Sequence, residues 1–91
     1  MLLARIAEVK VLRHTPAGLP ALDFSLEHES EIEEEGRMRS VKAKVRALAF
    51  GTVAERIVSQ PIGSQYLFKG FLASPGSSQR LVLHVQEFQQ T

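Results

Sequence analysis

Hydrophobic and polar residues alternate over several short stretches of this chain, and a period of two is the pattern of a half-buried β-strand. In the clearest stretch, Leu22, Phe24 and Leu26 alternate with acidic and hydroxyl side chains. A segment with two prolines and a glycine precedes this stretch, so the chain is expected to turn there. The alternation predicts five strands, at about residues 2–12, 22–30, 38–50, 65–73 and 80–88, with a short polar loop at 74–79.

The pattern changes to a helical period after the third predicted strand. Apolar residues within 53–58 recur at helical spacing, and Thr52 followed three residues later by Glu55 has the spacing of a capping box. A helix is therefore expected to begin at Thr52 and to end before Pro61. This order predicts an all-β, five-stranded OB-fold barrel with a short helix between strands 3 and 4. An SH3-like barrel is the alternative, but it usually lacks a helix at that place.

Composition narrows the class of protein. The chain has 91 residues, 44% of them hydrophobic and 23% charged, and no cysteine, which is typical of a globular domain without disulfides or thiolate metal sites. Charged residues interrupt the apolar start of the chain, so neither a signal-peptide core nor a membrane span is predicted. We expect residues 1–91 to form one OB-fold domain that is cytoplasmic and does not bind membranes. So short a chain buries only about 60–65% of its surface, which leaves room for a partner subunit.

The net charge of +1 conceals two blocks of opposite sign. Residues 23–35 carry seven acids and no Lys or Arg, whereas residues 37–46 carry five bases and no acid. The density of acids in residues 29–35 predicts a mobile, solvated loop. The simplest account of the two blocks is a hairpin in which bases pair with acids across the strands and no ligand is involved.

The basic block also has a pattern that suits a ligand. Lys42, Lys44 and Arg46 alternate with small apolar residues, so a strand would place all three cations on one face. They would recur about every 6.6 Å, which is close to the spacing of phosphates along an extended single strand. OB-folds bind nucleic acids through this face, so the row predicts contacts with a DNA backbone.

Aromatic side chains that would stack on bases are few. Phe24 and Phe50 are predicted to lie in the core, and Tyr66 and Phe68 share one face of the fourth predicted strand and are expected there too. Any affinity for nucleic acid is therefore expected to be mostly electrostatic.

Catalysis has little support in the sequence. His14, His28 and His84 are far apart and lack the spacing of metal ligands. No glycine-rich phosphate loop or nucleophile elbow is present. We therefore predict that the protein is not an enzyme and uses no metal or other cofactor.

Two stretches of the sequence carry a resemblance to a known family. The segment TPAGLPALDFSLEHES, residues 15–30, is the more specific, and GFLA followed by LVLH, within residues 70–84, extends the likeness over nearly the whole chain. The sequence resembles the PriB family, primosomal replication protein N. This resemblance implies an OB-fold homodimer that binds single-stranded DNA and assists the PriA helicase and other primosome proteins when bacteria restart stalled replication forks.

Carried over to this chain, the resemblance implies DNA contacts at Arg13 and Arg80. Well-known members place aromatic residues where this chain has Arg37 and Lys42, so charge is expected here to replace part of their stacking. The alternative function is a protein adaptor that has little DNA affinity of its own and docks an acidic partner on its basic face. The predicted nucleic-acid-binding residues are Arg13, Arg37, Arg39, Lys42, Lys44, Arg46, Lys69 and Arg80.

Overall fold

The computed structural model describes residues 1–76 and 79–91, which form six strands and one helix. The five predicted strands are all present, with most of their ends shifted by a few residues, and β2 is an additional short strand. Of the predicted loop at 74–79, residues 77 and 78 lie outside the described residues. The elements are β1 (Leu2–Val9), β2 (Arg13–His14), β3 (Pro20–Glu34), β4 (Arg37–Phe50), α1 (Thr52–Val58), β5 (Gln65–Ala73) and β6 (Val82–Gln89).

Five of these strands close into a barrel, in the order β1, β5, β6, β4 and β3. The closure depends on β1, which pairs with β5 over Leu2–Arg5 and with β3 over Arg5–Val9. β4 and β6 pair in parallel, and the other neighbouring strands are antiparallel. The predicted five-stranded barrel with a helix between its third and fourth strands is confirmed.

The apolar faces of the strands form a core inside the barrel. Phe24, Tyr66 and Phe68 are buried, as the alternation predicted, whereas Phe50 is only half-buried and is not part of this core. The prediction for Phe50 was wrong because its position in β4 has the opposite parity to that of the buried Ala47 and Ala49. The buried cluster consists of Ala4, Ile6, Leu22, Phe24, Leu26, Ala47, Ala49, Ala54, Ile57, Tyr66, Phe68, Val85 and Phe88.

The helix α1 packs against the barrel through Ala54 and Ile57, which are both fully buried. It begins at Thr52 as predicted, but the capping-box prediction was wrong. Gly51 is the N-cap and no side chain caps this end. With φ at 69°, Gly51 adopts a backbone conformation that is strained for other residues, and this conformation turns the chain from β4 into the helix. No helix among the described residues is long and apolar enough to cross a membrane.

The acidic segment is part of a long hairpin and not the loop that its composition predicted. β3 continues through Glu34, and β3 and β4 remain paired as far as Glu34 and Arg37. Only Glu35 and Gly36 form the turn, with positive φ values of 51° and 75°, as a tight two-residue hairpin turn requires. The loop prediction failed because cross-strand pairing with the basic strand overrides the low strand propensity of glutamate.

One close contact of the barrel predicts a specific loss of stability. A Cβ atom added at Gly70 of β5 would overlap the backbone carbonyl of His84 on β6. Because that neighbour is backbone in a paired strand, the barrel must shift to admit it, so Gly70→Ala should lower the free energy of unfolding by about 1–3 kcal/mol. Urea unfolding measures the change, and Gln65→Ala at the exposed start of β5 should stay within about 0.5 kcal/mol of wild type. Wild-type stability in Gly70→Ala would contradict the described approach of the two strands.

Candidate nucleic-acid interface

Lys42, Lys44 and Arg46 form a basic row on one face of β4. All three side chains are exposed. The residues between them lie on the opposite face of β4, which is buried in the core from Ala47 onward. The strand spacing predicted from the sequence is therefore present. Arg37 and Arg39 have the opposite parity, so they project from the other face of the same strand and are not part of the row.

A parallel row of carboxylates lies beside the basic row. In the register of β3 and β4, Glu29 lies opposite Lys42 and Glu27 lies opposite Lys44. Directly opposite residues of antiparallel strands have Cα atoms about 4.5–5.5 Å apart and side chains on the same face. Glu31 continues this acidic row toward the hairpin turn, and its three members (Glu27, Glu29 and Glu31) are all exposed. Such a cross-strand arrangement is what the simple hairpin account of the two charge blocks expected.

Lys44 and Arg46 differ in the carboxylates that lie near them. Lys44 also approaches β1, where its Nζ lies 3.9 Å from Oε2 of Glu8. Arg46 lies opposite Ser25 instead of an acid. Within the described part of the chain, no carboxylate lies within ion-pairing distance of Arg46 or Lys42. Arg46 is therefore the member of the row whose charge is least compensated by the hairpin.

A groove of about 940 Å³ brings part of the predicted site together. It contains two members of the basic row, Lys44 and Arg46, and adds Arg80 from the segment before β6. It also contains Lys10, which sequence reasoning missed because Lys10 lies outside the basic block and just beyond the end of β1. The remaining wall includes Glu8 and Asp23 and the apolar side chains of Leu72, Leu81 and Val82.

Three of the other predicted residues, Arg13, Arg39 and Lys69, lie in exposed ion pairs. Nε of Arg13 lies 3.1 Å from Oδ2 of Asp23, and Nη1 of Arg39 lies 3.0 Å from Oε2 of Glu34. Nζ of Lys69 lies 3.5 Å from Oε1 of its cross-strand neighbour Glu87. Exposed pairs of this kind contribute little to stability, so each of these cations can exchange its carboxylate for another anion at small cost.

An aromatic cluster continues the line of the basic row along β4. Phe50 lies four residues beyond Arg46 on the same face, and its ring centroid is 5.3 Å from that of His84 on β6. The ring of Phe71 on β5 lies 4.6 Å from the His84 ring and is 46% exposed. Sequence reasoning missed this cluster because its three members are on three different strands. The available signal was that Phe50 has the parity of Arg46 in β4.

Two of the three histidines, His28 and His84, make contacts between neighbouring strands of the barrel. Nδ1 of His28 lies 2.6 Å from the backbone oxygen of Leu3, so this ring nitrogen donates to the carbonyl and ties β3 to β1. His84 packs between two phenylalanine rings. Within the described residues, no group of three or more His, Asp or Glu side chains is arranged to hold a metal ion.

Comparison with known proteins places these features in a family. Residues 1–87 match a family described as another single-strand binding protein family. Replication restart protein PriB of Bordetella pertussis is 42% identical over 85 residues, covering 92% of this chain and 79% of that protein. The PriB of Neisseria meningitidis serogroup B is 36% identical, covering 98% of this chain and 89% of that protein. The chain belongs to the replication restart protein PriB family.

Solved structures agree with this assignment to the PriB family. The PriB of Ralstonia solanacearum superimposes with a TM-score of 0.85 at 29% identity, covering 99% of this chain and 93% of that one. The wild-type single-stranded DNA binding protein of Thermus aquaticus gives a TM-score of 0.74 at 22% identity, covering 96% of this chain and 46% of that one. The second likeness shows that the barrel is the fold of single-strand-binding proteins.

Proposed function

We propose that this protein binds single-stranded DNA on the face that carries the basic row, the groove and the aromatic cluster. The observation that carries the proposal is that Lys44, Arg46 and Arg80 come from different parts of the chain and line one groove. Proteins that bind single strands combine cations that follow the backbone with aromatic side chains on which bases stack. Phe71, exposed beside His84, supplies the aromatic part that the sequence did not predict.

The role that fits this surface is a non-catalytic one in replication restart in the cytoplasm. The name of the PriB relatives supports that role, and the earlier resemblance adds a PriA-type helicase and other primosome proteins as partners. In this proposal residues 1–91 act as one domain without a metal or cofactor. Its cations hold phosphates, and the exposed ring of Phe71 holds bases.

The protein adaptor remains the second candidate, and one observation favours it. The acidic row lies directly beside the basic row, so the carboxylates offset part of the positive potential that would attract DNA. An adaptor would use the basic row to bind an acidic partner protein and would bind DNA weakly.

The salt dependence of binding to oligo(dT) distinguishes the two candidates. Each phosphate contact on a single strand lowers log K by about 0.7 per unit of log salt, so the basic row alone should contribute a slope of about −2.1. Lys42→Ala combined with Lys44→Ala should flatten the measured slope by about 1.4. Fluorescence anisotropy of labelled oligo(dT) across a salt series measures both values.

A matched control removes the same charge from the other face of β4. Arg37→Ala combined with Arg39→Ala should change the slope less, because these side chains do not lie on the row. Each double variant should cost at most about 2 kcal/mol of stability, since an exposed opposite-charge pair across two strands contributes about 0.2–1 kcal/mol, and both should remain folded. An unchanged slope in the lysine variant would favour the adaptor.

We also propose that the protein forms a homodimer through β1. Residues 2–4 pair with β5 on one side and lie outside the β1–β3 register on the other, where the His28 side chain hydrogen-bonds to the Leu3 carbonyl, so the rest of this edge is open to a second copy. Met1 and Leu3 expose apolar surface there, at 86% and 42% exposure. Two-fold pairing at this edge would bury that surface and join two basic faces in one assembly.

Sedimentation equilibrium tests the dimer at about tens of micromolar protein. The expected mass is twice the chain mass of 10.1 kDa. Leu3→Glu should shift the protein toward monomer, because it would place a charge in the apolar contact. The control Val11→Glu, at an exposed position beyond the end of β1, should remain dimeric. A wild-type monomer would refute the proposal.

A further inference from the structure

We propose that the acidic row, Glu27, Glu29 and Glu31, makes the interface selective for single-stranded over double-stranded DNA. This proposal rests on the proposed function, because it concerns which form of DNA the same face accepts. Carboxylates beside a phosphate-binding row weaken every DNA complex to some extent. Their arrangement here penalises a duplex more than a single strand.

The first reason is the width of the basic row. Its cations lie in single file on β4, and the neighbouring file on β3 is acidic. Adjacent strands are about 4.8 Å apart, so one backbone on the row already passes close to the carboxylates. A duplex presents a second backbone across a groove that is about 6–12 Å wide. Beside Glu27, Glu29 and Glu31 the row offers no second file of cations for that backbone, since Lys10 and Arg80 lie in the groove at the Arg46 end of the row.

The second reason is charge density. A duplex carries one negative charge for about every 1.7 Å of its axis, and a single strand carries half as many per length. More phosphates of a duplex therefore lie within reach of each carboxylate at about 0.1 M salt, where screening acts over about 10 Å. The repulsion is larger for the duplex, whereas the number of available cations is the same.

The third reason is stiffness. A single strand bends freely and can follow the cations of the row while its phosphates avoid the carboxylates. A duplex has a persistence length of about 150 base pairs and cannot curve around the hairpin without a cost in energy. The phosphates of a duplex must therefore pass over the acidic row as well as the basic row.

A cation outside β4 also lies beside the acidic row. Arg5 of β1 lies opposite Glu27 on the side away from β4, so Glu27 is partly compensated from both sides. β1 pairs with β3 only from Arg5 onward, so Glu29 and Glu31 have no such neighbour on β1. These two carboxylates line a pocket that Leu3, Arg5 and Glu27 also line, and because no cation of β1 is paired opposite them they should contribute most to the selectivity.

The carboxylates also have a structural role, since opposite charges across a strand pair stabilise a hairpin. A purely structural role would change the stability of the hairpin and the affinity for all DNA together. Selectivity instead predicts a change in the ratio of the two affinities, which hairpin stability does not set. The ratio is therefore the quantity to measure.

The test compares Glu29→Gln combined with Glu31→Gln against wild type. Binding to labelled oligo(dT) and to a labelled duplex of the same length is measured by anisotropy at about 0.1 M salt. A carboxylate and a phosphate about 7 Å apart in water-like surroundings repel by the equivalent of about a threefold change in affinity. We expect affinity for the duplex to rise at least about threefold more than affinity for oligo(dT).

The control carries the same change in charge on the same hairpin. Glu34→Gln combined with Glu35→Gln removes two acids near the turn, about 16 Å or more along the strand from Lys42, and Glu34 projects from the other face of β3. The ratio of affinities should change much less in this control. Circular dichroism establishes that both variants are folded, and sedimentation equilibrium establishes that both keep the oligomeric state of wild type.

A second variant changes the ratio in the other direction. Ser25→Glu would extend the acidic row and place a carboxylate opposite Arg46. It should reduce duplex affinity more than oligo(dT) affinity. Opposite changes of the ratio in the two variants would support the proposal, and equal changes in both affinities would overturn it.

The outcomes separate this proposal from the function on which it rests. If wild type binds neither form of DNA even at low salt, the proposed function fails and the selectivity fails with it. If wild type binds oligo(dT) but the ratio stays constant in the acidic-row variants, DNA binding stands and only the selectivity is wrong.

Discussion

The pairing of β3 with β4 is the constraint on which the rest of the surface depends. Its register runs over fourteen residue pairs, from Ala21 opposite Phe50 to Glu34 opposite Arg37, without a shift. Side chains alternate between faces along this length, so a slip by one residue would turn the basic row inward and expose the core. The buried Leu22 and Leu26 at the barrel end and the tight turn at the other end therefore fix the orientation of every charge between them.

Much of the fold follows from local patterns in the sequence. The alternation of residues 65–73 predicted β5 with its observed ends, and the helical spacing after Gly51 predicted α1. These predictions hold because each pattern reports burial on one face, which the barrel then provides. The acidic end of β3 was not predictable in the same way, since its strand is held by pairing with β4 rather than by a hydrophobic face.

The residues of the candidate site likewise divide into those that local alternation predicts and those that only the closed barrel brings together. The exposed face of Lys42, Lys44 and Arg46 was predictable, because alternation within one strand decides it. The approach of Lys10 and Arg80 to that strand, and the contact of Phe71 with His84, depend on how distant strands meet in the closed barrel. No local spacing encodes such meetings, so Lys10 and the contact of Phe71 with His84 became visible only in the structure, whereas Arg80 was predicted only through the family resemblance.

The two charge rows reconcile a basic interface with a chain that is almost neutral. Acids that stabilise the hairpin also limit the positive potential. The least compensated charge is then at Arg46, between the two lysines that lie opposite acids and the aromatic cluster. DNA binding at this face would then combine a short electrostatic contact with a small stacking surface. Affinity in such an arrangement depends on whether a nucleic acid can place its phosphates along a single line of cations.

The most direct test of this account is to map the contact surface by nuclear magnetic resonance. Amide shifts would be recorded for the labelled protein as oligo(dT) is added. The account predicts the largest changes at Lys44, Arg46 and Arg80, with further changes at Phe71 and little change on α1. Changes confined to α1, with those four residues unaffected, would contradict it.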